Sequence, residues 1–102
     1  MIHVIVFFDL HTGKRDAFLK ELGQVVPLVR AEQGCIEYGP TVDVDTGNDL
    51  VGPPRRDRVT LLEKWESLDA LKVHLDAQHM HEYRAKVKSL IESAEFHVTE
   101  SA

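Results

Sequence analysis

A strand that runs directly into a helix is predicted by the stretch VTLLEKWESLDALKVHL, residues 59–75. Its first half is rich in β-branched and apolar side chains, as strands are. Ser67 is a favourable helix N-cap, and Asp69 in the first turn suits the positive end of the helix dipole. Three leucines then form the predicted apolar face of the helix: Leu68, Leu71 and Leu75. This strand-to-helix unit is the reference from which the other elements are placed.

Upstream of this unit, the sequence predicts a strand followed by a helix. Residues from Ile2 to Phe8 are almost continuously apolar, which is typical of a strand covered on both faces. After a turn at residues 11–13, apolar positions recur at helical spacing: Phe18, Leu22, Val25, Val26 and Val29. Pro27 lies inside this pattern and should kink or split the helix, and Gly34 should end it.

The segment between the two helices predicts a second strand, from Cys35 to Val44, and a long connection. Alternation puts Ile36 and Tyr38 on one face of that strand, and Pro40 favours a β-bulge or an edge position. The connection from Leu50 to Arg58 contains the turn-forming segment GPPRR. Connections of this length are often binding loops, so we expect this one to lie near the mouth of a pocket.

Downstream, the rest of the second helix and a last strand complete the chain. A helix break is expected near Gln78 and His79, after which helical spacing continues from Met80 to Ile91. Residues Ala94 to Thr99 predict the last strand. The order β-α-β-β-α-β is the ferredoxin-like arrangement, an α+β fold whose four-stranded antiparallel sheet carries its helices on one face. We therefore expect a single domain over residues 1–102, with its bare sheet face covered by a second copy in a homodimer.

Composition excludes several classes of function. The 102 residues carry a formal net charge of −5, whereas nucleic-acid-binding proteins usually present a basic stripe. No apolar run approaches the roughly 18 residues of a membrane span, so neither nucleic acid nor membrane is expected as a partner. The N-terminal segment MIHVIVFFDL lacks the basic region and cleavage site of a signal peptide. Because Cys35 is the only cysteine, no internal disulfide can form, and we expect a cytoplasmic location.

Histidine and carboxylate side chains gather in the strand-to-helix region. Glu63 is an acid in an otherwise apolar strand face, where it needs a partner or a raised pKa. It is either a structural residue in an ion pair or a group that orients a histidine in a pocket. His74 lies at the border of the apolar helix face, while His79 and Tyr83 share a face if the helix resumes at His79. Histidine titrates near neutral pH and suits the removal of a proton from a phenol.

Cofactor signatures are absent from the sequence. It contains no glycine-rich phosphate loop and no dinucleotide fingerprint, so neither NAD nor flavin is expected. His74, His79 and His81 are conceivable metal ligands, but residues two apart on a helix point in different directions, and we expect no metal. Trp65 and Tyr38 are either core residues or the flat wall of a pocket for an aromatic ring.

Two segments resemble the signatures of the antibiotic-biosynthesis monooxygenase family. The first is EQGC at residues 32–35, with Tyr38 three residues further on. The second is EKWES at residues 63–67, followed by Ala70-Leu71, His74 and His79. The resemblance covers nearly the whole chain and is closest to the quinol monooxygenase branch. It implies a dimeric α+β barrel with one pocket per subunit, which oxidises phenols or quinols with O2 and uses neither metal nor prosthetic group.

The resemblance also implies which residues form the site. Three are candidates for catalysis, Glu63, His74 and His79, and three for substrate binding, Trp65, Tyr38 and Tyr83. The leading hypothesis is a cofactor-independent monooxygenase whose partners are O2 and a quinol or small hydroxylated aromatic. Two alternatives remain open: an isomerase or tautomerase of a small carbonyl metabolite that uses the same base, and a non-enzymatic quinone-binding protein. One fold supports all three, so the fold does not choose between them.

Overall fold

The predicted order of elements is present in the computed structural model, which describes all 102 residues. The strands are β1 (Ile2–Leu10), β2 (Cys35–Thr41), β3 (Arg58–Trp65) and β4 (Ile91–Glu100). They form one antiparallel sheet in the order β2-β3-β1-β4. The helices are α1 (Arg15–Arg30), α2 (Leu68–Leu75) and α3 (Gln78–Val87), and a 3₁₀ turn at Lys88–Leu90 joins α3 to β4. This is the ferredoxin-like α+β fold, and none of its helices is long and apolar enough to cross a membrane.

One hydrophobic core lies between the sheet and the helices. Every second residue of β1 is buried in it, and so are all five predicted apolar positions of α1. The intervening residues of β1 are only half-buried, so a single chain covers one face of this strand and not both. On the outer face, Arg58 binds Asp9 with two hydrogen bonds of 2.8 and 2.9 Å and lies 5.1 Å from the ring centre of Phe7. That face is therefore less apolar than the sequence pattern indicated.

β2 occupies an edge of the sheet, as the proline at position 40 predicted. The strand ends at Thr41 and does not reach Val44, contrary to the prediction. β3 is the only partner of β2, and their last pair joins Thr41 to Thr60. Beyond this pair β3 continues for only two residues, to Arg58, so little partner backbone remains to extend the ladder.

A β-bulge near the start of β2 breaks the alternation of its side chains. The pairing with β3 shifts between Cys35 and Glu37. As a result Tyr38 is 1% exposed, while Ile36 is 49% exposed. The prediction that Ile36 and Tyr38 share a face is wrong, because a bulge adds one residue to its strand and reverses the side-chain pattern across it.

The junction between α1 and β2 depends on a glycine. α1 is not split at Pro27, and it ends at Arg30, so the prediction that Gly34 terminates the helix is wrong. Gly34 instead has a φ of +86°, and a Cβ atom placed there would lie 2.6 Å from the Cβ of Ala70. Its carbonyl oxygen accepts a hydrogen bond of 2.8 Å from the backbone N–H of Glu66. Only glycine combines this conformation with so close an approach to α2.

The helical region after β3 is interrupted, as predicted, but at residues 76–77 and not at Gln78 and His79. α2 ends at Leu75 and α3 begins at Gln78. Helical spacing had also predicted that α3 continues to Ile91, but Ile91 pairs with Leu10 of β1 and begins β4. Pairing with a central strand outweighs the spacing of a few apolar residues.

The long connection between β2 and β3 is anchored at the end of β1. Residues 42–57 contain no helix or strand. Their last residue, Asp57, binds the end of β1: its carbonyl oxygen accepts from the N–H of Leu10 at 2.8 Å, and its carboxylate accepts from the N–H of Gly13 at 3.1 Å. No residue from Leu50 to Arg58 lines the cavity of about 740 Å³ that lies between the sheet and the helices α2 and α3. The prediction that this connection lies at the pocket mouth is therefore wrong.

Candidate active site

A cavity of about 740 Å³ lies between the sheet and the helices α2 and α3. Apolar side chains of β1 and β3 line it on the sheet side, and α2 and α3 cover it. Residues of β4 line one flank, where Phe96 and Val98 are exposed. Most of the lining residues are hydrophobic. Small-molecule sites usually have volumes of about 300–1,000 Å³ and apolar walls with a few polar groups. The cavity therefore has the size and character of a site for a small, largely apolar molecule.

Four of the six site residues proposed from the sequence line this cavity: Tyr38, Glu63, His74 and Tyr83. Strand register explains part of this grouping, because Tyr38 of β2 pairs directly with Glu63 of β3. The other two proposed residues, Trp65 and His79, do not line the cavity. Trp65 is fully buried, and His79 is a partly exposed residue of α3 whose side chain is 26% exposed.

His74 is held on the buried face of α2. Ser67 caps this helix as predicted, since its hydroxyl oxygen accepts a hydrogen bond from the third residue of the helix. The buried residues of α2 are Leu71 and His74, whereas Leu68 and Leu75 are each 47% exposed. The predicted face of three leucines is therefore wrong. The buried face includes the histidine itself, which is 1% exposed.

Glu32, to which the sequence analysis assigned no role, binds both candidate histidines. Its Oε2 atom lies 2.8 Å from Nδ1 of His74 and 2.9 Å from Nε2 of His79. Glu32 lies in the turn between α1 and β2, and its side chain is 14% exposed. We call Glu32, His74 and His79 the Glu32 cluster. The only sequence signal for Glu32 was its position in the EQGC segment, because nothing local brings it near residues more than 40 positions away.

The hydrogen bonds of the Glu32 cluster define the state of His74. A carboxylate can only accept, so Nδ1 of His74 carries a hydrogen and Nε2 is free in the neutral ring. Burial lowers the pKa of His74, and the hydrogen bond and charge of Glu32 partly oppose this shift. The ring also packs against the indole of Trp65, with 4.6 Å between ring centres. A neutral, immobilised imidazole with a free nitrogen is competent to accept a proton.

Glu63 lies on the Nε2 side of His74 but does not bind it. Its Oε1 atom is 3.8 Å from that nitrogen, which is longer than a hydrogen bond, and it accepts from the indole N–H of Trp65 at 2.9 Å. Burial raises the pKa of Glu63 to about 7, the hydrogen bond from Trp65 opposes this shift, and the charge of Glu32 adds to it. Glu63 therefore changes its charge near neutral pH, and Trp65 positions both Glu63 and His74.

Two tyrosine hydroxyl groups in the cavity wall have no hydrogen-bond partner. Tyr38 is 1% exposed and Tyr83 is 7% exposed, and the oxygen atoms of both are buried and unpaired. Burial raises the pKa of each hydroxyl, so both remain neutral donors at ordinary pH. A buried polar group without a partner costs about 1–3 kcal/mol. Oxygen atoms of a bound molecule would relieve this cost at the polar end of the cavity.

The cluster has the spacing of hydrogen bonds and not of metal ligands. Its three ligand atoms lie within 4.8 Å of one another. The two nitrogen–oxygen distances, 2.8 and 2.9 Å, are nevertheless shorter than the roughly 3.3 Å between ligands of tetrahedral zinc with bonds of about 2.0–2.1 Å. His81 points away and binds Asp76 at 3.0 Å. The absence of a metal stays a prediction.

A family model and two relatives that match this chain are all described as monooxygenases. The family model described as "Antibiotic biosynthesis monooxygenase" matches residues 1–86. A relative from Escherichia coli strain K12, named "Probable quinol monooxygenase YgiN", is 36% identical over 90 residues, which cover 86% of each chain. A relative from Bacillus subtilis strain 168, named "Putative monooxygenase YcnE", is 31% identical over 91 residues, which cover 89% of this chain and 86% of the relative.

Solved structures agree on the fold. The structure titled "Putative antibiotic biosynthesis monooxygenase from Nitrosomonas europaea" superposes with a TM-score of 0.85 and covers 99% of this chain and 98% of that one. The two sequences are 18% identical, so this likeness concerns the fold alone.

Proposed function

Because this chain belongs to the antibiotic biosynthesis monooxygenase family, we propose that it is a cofactor-independent enzyme that oxidises a quinol or a hydroxylated aromatic with O2. The observation that carries the proposal is the state of His74. It is buried at the wall of an apolar cavity, with Nδ1 bound to Glu32 and Nε2 free to accept a proton. The name of the Escherichia coli relative supports a quinol as the substrate class.

The proposed reaction begins with loss of a proton. A substrate hydroxyl transfers its proton to Nε2 of His74, which leaves an electron-rich phenolate. The phenolate donates one electron to O2, and the resulting substrate radical and superoxide combine at a ring carbon. Loss of water then leaves one oxygen atom on the ring and places the other in the water molecule. A quinol supplies all four electrons and becomes a hydroxylated quinone, so no further reductant is required.

The surrounding residues have distinct roles in this scheme. Glu32 fixes the tautomer of His74 and stabilises the imidazolium that forms, as a carboxylate does in other acid–base pairs. Tyr38 and Tyr83 donate hydrogen bonds to oxygen atoms of the substrate. Glu63 supports the base by its charge. The apolar walls exclude water and limit side reactions of the radical pair.

Oxygen uptake tests the proposal directly. The purified protein is mixed with a series of hydroquinones in chelator-treated buffer, and O2 consumption is followed with an electrode. We expect uptake by the wild type, with one ¹⁸O atom from ¹⁸O2 in each product molecule. His74→Gln should lower the rate about 10²- to 10⁴-fold, the usual effect of losing a positioned base. His81→Gln removes an exposed histidine of α3 and should leave the rate unchanged.

The same experiment separates the alternatives. An isomerase or tautomerase would exchange substrate protons with D2O under nitrogen and consume no O2. A quinone-binding protein would bind the quinone tightly and show neither activity. Either result, obtained with a folded protein, would overturn the monooxygenase proposal.

We also propose that the chain forms a homodimer through its outer sheet face. Leu62 of β3 is 39% exposed at the centre of that face and pairs with the half-buried Ile5 of β1. Phe7 lies on the same face, two residues further along β1. A second sheet would remove these apolar side chains from water, while the ion pair between Arg58 and Asp9 would lie nearer the rim.

A further inference from the structure

The two histidines of the Glu32 cluster line two different cavities. His74 lines the large cavity and its side chain is 1% exposed, whereas the side chain of His79 is 26% exposed. His79 lines a separate groove of about 180 Å³ between α1 and α3. The cluster therefore links the large cavity to the surface groove through one carboxylate.

The geometry of the bridge determines which atoms remain free. The same oxygen of Glu32 accepts from Nδ1 of His74 and from Nε2 of His79, so each of these nitrogens carries a hydrogen. The remaining nitrogen of His74 is then on the cavity side, and the remaining nitrogen of His79, Nδ1, is free to exchange a proton with water in the groove. A single carboxylate offsets one imidazolium, and two imidazolium rings on one oxygen atom would repel each other.

We propose that His79 is a positioning and proton-release residue: when Nε2 of His74 takes a proton from the substrate, His79 releases a proton from Nδ1 to water in the groove. This inference rests on the proposed function only in taking His74 as the base. The balance is simple. One proton moves from the substrate oxygen to His74, a different proton leaves His79, and both hydrogen bonds to Glu32 keep their hydrogens. The cluster has the same number of protons before and after the step.

Charged groups surround both rings. Three charged side chains of α1 and α3 line the groove beside His79: Glu21, Glu82 and Lys86. His74 faces Glu32, Glu63 and Arg84, and both His79 and Arg84 lower its pKa through their charges. Loss of the positive charge on His79 therefore raises the pKa of His74 and stabilises the substrate proton on it. Without such an exchange, uptake of a proton by His74 would place two positive rings on one carboxylate.

The experiment uses 4-nitrophenol, an electron-poor phenol that resists oxidation and absorbs visible light only as the phenolate. Binding is measured under nitrogen at about pH 6, where histidines in general are charged for much of the time. Absorbance reports whether the bound phenol has lost its proton to the protein. Calorimetry in two buffers of different ionisation enthalpy counts protons released to solvent.

We expect the wild type to bind the phenolate and to release a substantial fraction of one proton per ligand. His79→Gln keeps a donor to Glu32 but cannot release a proton, so it should form phenolate more weakly and release none. His81→Gln removes another histidine of α3 and should behave as the wild type. If phenolate forms and the wild type releases no proton, the inference is overturned and the base assignment stands. If no phenolate forms, His74 is not the base and the proposed function fails with it.

A measurement on the wild type alone removes any dependence on the folding of His79→Gln. Nitrogen-15 chemical shifts of the histidine rings report their protonation. On addition of 4-nitrophenol, His74 should become an imidazolium while His79 becomes neutral with its hydrogen on Nε2. A His79 signal that stays unchanged while His74 becomes charged would overturn the inference.

Discussion

Replacing Glu63 with glutamine should stabilise the protein, and the gain should depend on pH. Burial raises the pKa of this carboxyl group from 4.5 to about 7. A shift of that size corresponds to about 3 kcal/mol of folding free energy. Glutamine has almost the same shape, and its side-chain oxygen can still accept from the indole of Trp65, so the substitution mainly removes the charge.

The sign follows from the direction of the shift. Below pH 4.5 the carboxyl group is protonated in the folded and the unfolded chain, and it does not bias folding. Between pH 4.5 and about 7 the unfolded chain loses the proton while the folded chain keeps it, so the wild type loses stability as pH rises. Above about pH 7 the carboxyl group is ionised in both the folded and the unfolded chain, and the whole free-energy cost of burying the charged group lowers the stability of the wild type. The advantage of Glu63→Gln should therefore be small near pH 5 and reach about 3 kcal/mol near pH 8.

Urea unfolding at a series of pH values measures this difference. Trp65 is the only tryptophan and is fully buried, so its fluorescence reports unfolding, and circular dichroism checks that the transition has two states. Protein concentration must be constant, because a dimer gains stability with concentration. Glu66→Gln, at an exposed position near the end of the same strand, controls for the general effect of removing a charge. A difference between Glu63→Gln and the wild type that is constant from pH 5 to pH 8, or that shrinks as pH rises, would refute the reasoning.

The remaining predictions concern packing, assembly, metal content and the base. Gly34→Ala should lower the free energy of unfolding by clearly more than Gly13→Ala. Both glycines have a positive φ, but only Gly34 has a neighbouring atom within 4 Å of the new Cβ. Equal losses in the two variants would contradict the packing argument. Sedimentation at micromolar concentration should give twice the mass of the chain, and a clean monomer would count against the sheet-against-sheet dimer. Elemental analysis should find no stoichiometric transition metal, whereas a metal that is lost on His74→Ala would show that the cluster is a metal site. Because burial lowers the pKa of His74, the rise of quinol oxidation with pH should lie below the ordinary histidine value of about 6.5, and a rise well above it would exclude His74 as the base.

Sequence patterns were sufficient for features that depend on local periodicity. Alternation along β3 placed Glu63 on the face that meets the helices, and the cap at Ser67 located the start of α2. These two inferences brought Glu63 and His74 to the same region. They did not distinguish a core residue from one that lines a cavity, so Trp65 could be either, and in the structure it is buried outside the cavity lining.

Other features depend on contacts between distant parts of the chain. Glu32 reaches His74 across 42 positions and His79 across 47, and no local pattern encodes such a contact. The start of β4 at Ile91 depends on pairing with Leu10, which overrides the helical spacing of the preceding residues. The bulge that turns Ile36 outward likewise depends on how β2 meets its partner strand.

The interruption between α2 and α3 also determines the directions in which His74 and His79 point around the helix axis. Successive residues of an α-helix are rotated by about 100°, so positions five apart on an unbroken helix would point about 140° away from each other. Asp76 and Ala77 interrupt the helix and cancel that offset, which lets His74 and His79 meet on one oxygen atom. A chain that kept both histidines but lengthened, shortened or repaired the interruption would lose their convergence. In related sequences the length of this interruption should therefore be as diagnostic of the cluster as the histidines themselves.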